Sequence, residues 1–266
     1  MSSITTDQGV LHYEVYGRGR PVILLHGWLC SWGLWQETMA FLGQHFRTYA
    51  LDFWGFGESG KKNPTYSVSD YVSMVDQFMQ QLGIERAPLV GHSMGGTVSL
   101  KMAIDHPERV SQVTVIGSPV TGDSLALTLK FSGNPTIAWL VYHNMWALRL
   151  GLRIAGPSIS RDPRWPEMMD DYLSRLTLES FLMSIASLRR TDLTTELEKI
   201  QVPVMGMYGT HDNIVHPNQW KPICEHVPAP RIERFNGAGH FIWLDMPEVF
   251  NQKLLDFLEK GKNGHG

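Results

Sequence analysis

The chain has 266 residues, of which 43% are hydrophobic, 11% aromatic and 18% charged, a composition that excludes disordered and fibrous architectures. At roughly 150 residues per domain, this length accommodates one large domain, or one carrying a sizeable insertion. Lysine and arginine number 23 against 26 acidic residues, so the formal charge of -3 gives no overall electrostatic case for nucleic acid or an anionic membrane and leaves room only for a local patch.

In chain order, residues 3–6 and 10–16 read as two strands joined by the turn signal Asp7-Gln8-Gly9. An apolar run at 21–25 then meets His26-Gly27. Further buried-strand patterns lie at 47–51, 87–90, 110–116, 203–208 and 231–235, and helical patterns fall between them at 68–82, 95–106 and 247–259. Short β-branched runs alternating with amphipathic segments define an α/β fold, with a mostly parallel central sheet and helices on both faces. Residues 121–191 break that rhythm: they are rich in Leu, Met, Trp and Arg, punctuated by Pro135, Pro157, Pro163 and Pro166, and read as a helical insertion. The expected organisation is a core of 1–120 and 192–259, the insertion at 121–191, and a disordered tail at 260–266.

Cys30 and Cys224 cannot build a disulfide framework, and the first ten residues lack the basic start and apolar run of a signal peptide, so a cytoplasmic location is expected. No stretch reaches the roughly 18 uninterrupted apolar residues of a membrane span. The nearest, 137–154, contains His143, Asn144, Arg149 and Arg153 and suits an amphipathic helix lying on an apolar surface.

The sharpest chemical signal is Gly91-His92-Ser93-Met94-Gly95-Gly96, directly after an apolar strand and directly before a helical pattern, which fits G-x-S-x-G in its strand-turn-helix context. Gly91 and Gly95 leave room for a strained turn that lifts the Ser93 hydroxyl above the sheet. A serine hydroxyl is nearly inert at neutral pH, so this reading requires a base and an orienting acid. His240, in Asn236-Gly237-Ala238-Gly239-His240-Phe241 after the last strand, is the candidate base. Asp212, just past the strand at 203–208, is the candidate acid, with Asp123 its nearby rival. The chain order Ser93, Asp212, His240 is that of the G-x-S-x-G hydrolases.

With these motifs the sequence resembles the α/β-hydrolase superfamily, in particular its cap-bearing branch of serine esterases and C-C bond hydrolases. His26-Gly27-Trp28 looks like the family's oxyanion loop and Asp52-Phe53-Trp54-Gly55-Phe56-Gly57-Glu58-Ser59 like its D-x-x-G-x-G-x-S loop. The helical insertion falls where the family places its cap, between the sixth and seventh strands. The resemblance implies a nucleophile, base and acid at Ser93, His240 and Asp212, and oxyanion donors at the backbone N-H groups of Trp28 and Met94. Serine at position 93 disfavours the haloalkane dehalogenase and epoxide hydrolase branches, which use an aspartate there.

His92 and His26 are expected to support their loops through hydrogen bonds. His211 and His216 lack metal-ligand spacing to any partner, so no metal site is expected. Gly55-Phe56-Gly57 lacks the G-x-G-x-x-G pattern and its following helix, so no dinucleotide or other cofactor is expected. Trp28, Trp32, Trp35 and Trp54 are expected near the mouth of the site. From the insertion Trp139, Tyr142, Trp146 and Trp165 join them as cap-to-core glue, as an apolar acyl or aryl pocket, or as both, with Trp139 and Trp146 as the substrate-binding candidates. Arg149, Arg153 and Arg189 are expected to be solvated. The function expected is cleavage of a carboxylic ester, or of a lactone or thioester, of a small apolar substrate. Hydrolytic C-C cleavage by the same residues, and a slow-hydrolysing small-molecule receptor, are the alternatives. The oligomeric state and the exact substrate stay open.

Overall fold

The computed structural model describes residues 2–61, 65–126, 129 and 134–260. Eight strands form one sheet: β1 (Ser2–Thr6), β2 (Gly9–Gly17), β3 (Pro21–Leu25), β4 (Arg47–Leu51), β5 (Ala87–His92), β6 (Val110–Ile116), β7 (Val204–Gly209) and β8 (Arg231–Phe235). Their spatial order is β1-β2-β4-β3-β5-β6-β7-β8. The β1-β2 and β2-β4 pairs are antiparallel and every later pair is parallel. The central strands read as near-continuous apolar runs because helices cover them on both sides, and Val22, Ile23, Leu24 and Leu25 of β3 are fully buried.

Helix Val68–Gln81 shows how local sequence sets an element's start. The Ser67 hydroxyl accepts from the Asp70 amide while the Asp70 carboxylate accepts from the Ser67 amide, a reciprocal cap that satisfies two otherwise orphaned donors. Its buried face, including Tyr71, Met74, Val75 and Phe78, then packs into the core.

Between β6 and β7 the described residues form helices Pro135–His143, Met145–Ile159, Trp165–Ser174 and Leu178–Arg190. The two ends of the segment meet beside the sheet, outside its strands. Thr121 bridges Asp192 in antiparallel fashion, the Gly122 amide donates to the Thr191 carbonyl, and the Leu193 amide donates to the Val120 carbonyl. Lys260 ends helix Pro247–Lys260, while the rest of the expected disordered tail, residues 261–266, lies outside the described residues. No helix among the described residues is long and apolar enough to cross a membrane.

Candidate active site

Ser93 sits between the end of β5 and the start of helix Met94–Asp105 with φ 51° and ψ -118°, a left-handed conformation rare for a residue with a side chain. The surroundings enforce it. A side chain on Gly91 would overlap the Gly95 carbonyl, and one on Gly95 would overlap the Leu25 carbonyl at the end of β3, so both glycines are required by close backbone approach. The Ser93 amide donates to the Ile116 carbonyl at the end of β6, which ties the turn to the neighbouring strand.

Asp212 and His240 follow β7 and β8, so three separate strands deliver the three residues to one end of the sheet. His240 Nδ1 lies 2.8 Å from Asp212 Oδ2, and both side chains are buried. The other carboxylate oxygen, Oδ1, accepts from the amides of Ile214 and Val215, each at 2.9 Å, which fixes the orientation of Asp212. With Nδ1 donating to the carboxylate, the imidazole presents Nε2 as its basic nitrogen. Ser93 and His240 line the same small cavity of about 80 Å³. Asp123 instead stands exposed on the short turn Gly122–Ser124.

The first residue of a helix has no intrahelical acceptor for its N-H, which leaves the Met94 amide available beside Ser93. The His26-Gly27-Trp28 loop closes on the same place: a Cβ on Gly27 would stand 3.1 Å from the Ser93 Cβ and 2.8 Å from His92 Nδ1. The Trp28 amide makes no hydrogen bond among the described residues, and the Trp28 ring lines the cavity.

His26 and His92 do support loops. His26 Nδ1 donates to the Gly27 carbonyl at 2.7 Å while Nε2 accepts from the Phe53 amide at 3.0 Å, a pattern only the neutral ring can satisfy. His92 Nε2 lies 3.2 Å from the His240 carbonyl, to which it donates, and its Nδ1 is buried without a partner. Burial holds the pKa of both rings down, most strongly for His92, where the neighbouring His240 adds to it. The unfolded chain therefore binds more protons than the folded one as acid approaches, and stability falls as the pH drops through about 6.5 toward the folded values. We expect the unfolding free energy from urea titrations to decline from pH 7.5 to 5.5, each histidine contributing at most about 1.4 kcal/mol per pH unit. A flat profile over that interval would contradict the assignment.

Three features escape sequence reasoning. Ile159 ends helix Met145–Ile159, and its carbonyl accepts from the His240 amide at 3.2 Å. Asp245 bridges the same two regions. Its Oδ2 accepts from the Gly239 amide at 2.8 Å, and its Oδ1 accepts from the Ser160 hydroxyl at 2.9 Å and the Arg161 amide at 2.7 Å. The backbone on both sides of the His240 loop is thus held from the helical insertion. In Asp245→Asn an amide donor would meet one of those donors, so kcat should fall by up to about 10²-fold with KM nearly unchanged, the cost expected of a displacement near 1 Å. Steady-state kinetics on the folded variant would check it, and an unaltered kcat would remove Asp245 from the site.

The third is the aliphatic part of the cavity wall, which lies beside the expected Trp28 and Trp165. Trp28, Leu125, Leu129, Leu152, Trp165, Met169, Ile185 and Leu188 supply most of the wall. Trp139 and Trp146 do not: they are 52% and 69% exposed on the outer side of the insertion, which corrects the expectation that they line the substrate pocket. Tyr142 donates to the Leu176 carbonyl, and Trp35 is buried and stacks on Trp243. Trp32 lines a roomier cavity of about 490 Å³ with His12, Glu14, Asp52, Arg164 and Arg175, and none of Ser93, Asp212 and His240 reaches it. The residues of the D-x-x-G-x-G-x-S loop serve to brace it. Asp52 accepts from the Trp32 and Glu58 amides and pairs with His12, and the Ser59 hydroxyl donates to the Asp52 carbonyl.

The sheet order and the turn at Ser93 are those of the α/β-hydrolase fold. The family model described as alpha/beta hydrolase fold matches residues 20–136. A pimeloyl-[acyl-carrier protein] methyl ester esterase of Vibrio cholerae is 28% identical over 262 residues, covering 93% of this chain and 97% of that one. A carboxylesterase of Bacillus subtilis is 29% identical over 272 residues, covering 96% of this chain and 86% of the other. Among solved structures, the enol-lactonase from Burkholderia xenovorans superposes with a TM-score of 0.85 at 22% identity, covering 97% of this chain and 100% of that one.

Proposed function

We propose that the protein is a carboxylesterase-like serine hydrolase that cleaves the ester of a small apolar substrate, or a lactone or thioester, through an acyl-enzyme. The observation that carries this reading is the buried Asp212-His240 pair beside Ser93 at the floor of an apolar cavity. The esterase names of the full-length relatives favour the ester over the C-C bond that the same three residues would also hydrolyse.

In this reading the Ser93 Oγ attacks the carbonyl carbon as His240 Nε2 takes its proton, while the Nδ1 proton stays shared with Asp212, whose charge stabilises the imidazolium. The oxyanion is received by the amides of Met94 and Trp28, each such donor being worth about 3 kcal/mol of transition-state stabilisation. The imidazolium returns the proton to the departing alkoxide as the tetrahedral intermediate collapses. Water, deprotonated by His240, then releases the acid and regenerates Ser93. None of these steps calls for a cofactor.

Residues 121–191 act as a cap over a core of 1–120 and 192–259, and select the substrate through Leu152, Trp165 and Ile185. With no lysine or arginine among the described wall residues, a carboxylate tail on the substrate would be buried unpaired there, so apolar acyl or aryl groups are preferred. The test is intact-mass measurement after treatment with a fluorophosphonate, followed by an ester panel of graded acyl length. A single adduct mapped to Ser93 is expected. An unmodified Ser93 under conditions that label a control serine hydrolase would overturn the reading.

A further inference from the structure

Helix Met145–Ile159 is apolar on two opposite sides. Leu152 and Ile159 face inward and line the cavity over Ser93. On the other side Trp146, Leu150 and Ile154, spaced four residues apart, are 69%, 51% and 74% exposed, and Ile137, Trp139 and Leu140 on the adjoining helix Pro135–His143 extend the patch. Six of the nine large hydrophobic side chains exposed among the described residues are concentrated there. A helix apolar all round is ordinarily buried on all sides, and an exposed patch of this kind marks an interaction surface.

The charge around the patch indicates what covers it. Among the described residues from Ser124 to Arg161 the charged side chains are Arg149, Arg153 and Arg161, with not one aspartate or glutamate. Asp170, on the neighbouring helix Trp165–Ser174, pairs with both Arg149 and Arg153 and so offsets only one of the two charges. A second copy of this chain seated across a two-fold axis would set these arginines against themselves. Exposed tryptophans, aliphatic side chains and flanking arginines are the composition of a helix that lies in the boundary between headgroups and acyl chains.

We propose that the outer face of helices Pro135–His143 and Met145–Ile159 docks on an anionic lipid surface. Helix Met145–Ile159 carries this outer face and also supplies Leu152 and Ile159 to the Ser93 cavity, so docking would bring the site close to a phase in which apolar esters concentrate. Docking is independent of the reaction assigned to Ser93 and is measured without turnover.

The experiment is co-sedimentation of the full chain, carrying Ser93→Ala to prevent hydrolysis, with vesicles of equimolar phosphatidylglycerol and phosphatidylcholine and with vesicles of phosphatidylcholine alone. Binding to the anionic vesicles is expected, weakening as salt rises. Trp146→Ser with Ile154→Ser should reduce the partition coefficient at least tenfold by removing buried apolar surface, on the order of a tenfold loss for each large side chain. Arg149→Gln and Arg153→Gln should each reduce it by about fivefold. Trp146, Arg153 and Ile154 are exposed and Arg149 is half-buried, and unchanged circular dichroism is required of every variant. The proposal is overturned by any of four results: no binding at millimolar lipid, equal binding to neutral vesicles, insensitivity to both sets of substitutions, or a concentration-dependent dimer that the same substitutions abolish. Preferential retention on an acidic acyl-carrier protein, with no vesicle binding, would equally reject it.

Discussion

Replacing Ser93 by alanine is expected to lower kcat for ester turnover by roughly 10⁴ to 10⁶ while leaving the fold intact, because the nucleophile and its base act as a unit. The strained turn is held by Gly91, Gly95 and the Ile116 carbonyl rather than by the serine hydroxyl, so the variant has no structural reason to unfold. His240→Ala should cost a similar factor, and the double variant little more than either alone, since removing the second member of a disabled unit has little left to remove. Steady-state kinetics on one activated ester suffice. Turnover within tenfold of the parent protein in folded Ser93→Ala would refute the assignment.

Asp212→Asn should cost on the order of 10⁴ in kcat, and the local hydrogen bonds say why. The amides of Ile214 and Val215 both donate to Oδ1, so an asparagine must keep its carbonyl oxygen there and turn its NH2 toward His240 Nδ1. That nitrogen would then have to accept, which moves the ring proton to Nε2 and leaves no base facing Ser93. Asp123→Asn, on an exposed turn, should change kcat by less than twofold. The reverse pattern in the two variants would move the acid to the loop after β6.

Much of this arrangement is legible in the sequence because it is imposed locally. G-x-S-x-G between an apolar strand and a helical pattern specifies the turn at Ser93, since only glycines fit where backbone meets backbone. Asp212 and His240 can be placed because each follows a strand whose apolar run is visible, and parallel strands deliver their following loops to one end of the sheet. What the sequence conceals are contacts between distant segments. Nothing in Gly239-His240-Phe241 announces that the Ile159 carbonyl holds it, or that Asp245 ties it to Ser160, because these bonds depend on how the helices at 135–190 settle on the core. Trp139 and Trp146 mislead for a related reason. Helical spacing groups side chains on faces, but when both faces are apolar it gives no sign of which turns inward, and Leu152 and Ile159 take that position instead.

The antiparallel bridge between Thr121 and Asp192 has an evolutionary reading. A segment whose two ends meet at one point adds to the sheet at a single junction and disturbs no strand register, whatever its length or internal order. Loop-closure entropy grows only with the logarithm of length, so such a segment can be lengthened or shortened at small thermodynamic cost. The stretch from Thr121 to Asp192 can therefore vary in length at its outer turns, while its Ile159 carbonyl and Ser160 hydroxyl, bonded to the His240 amide and to Asp245, are the points any variant has to keep.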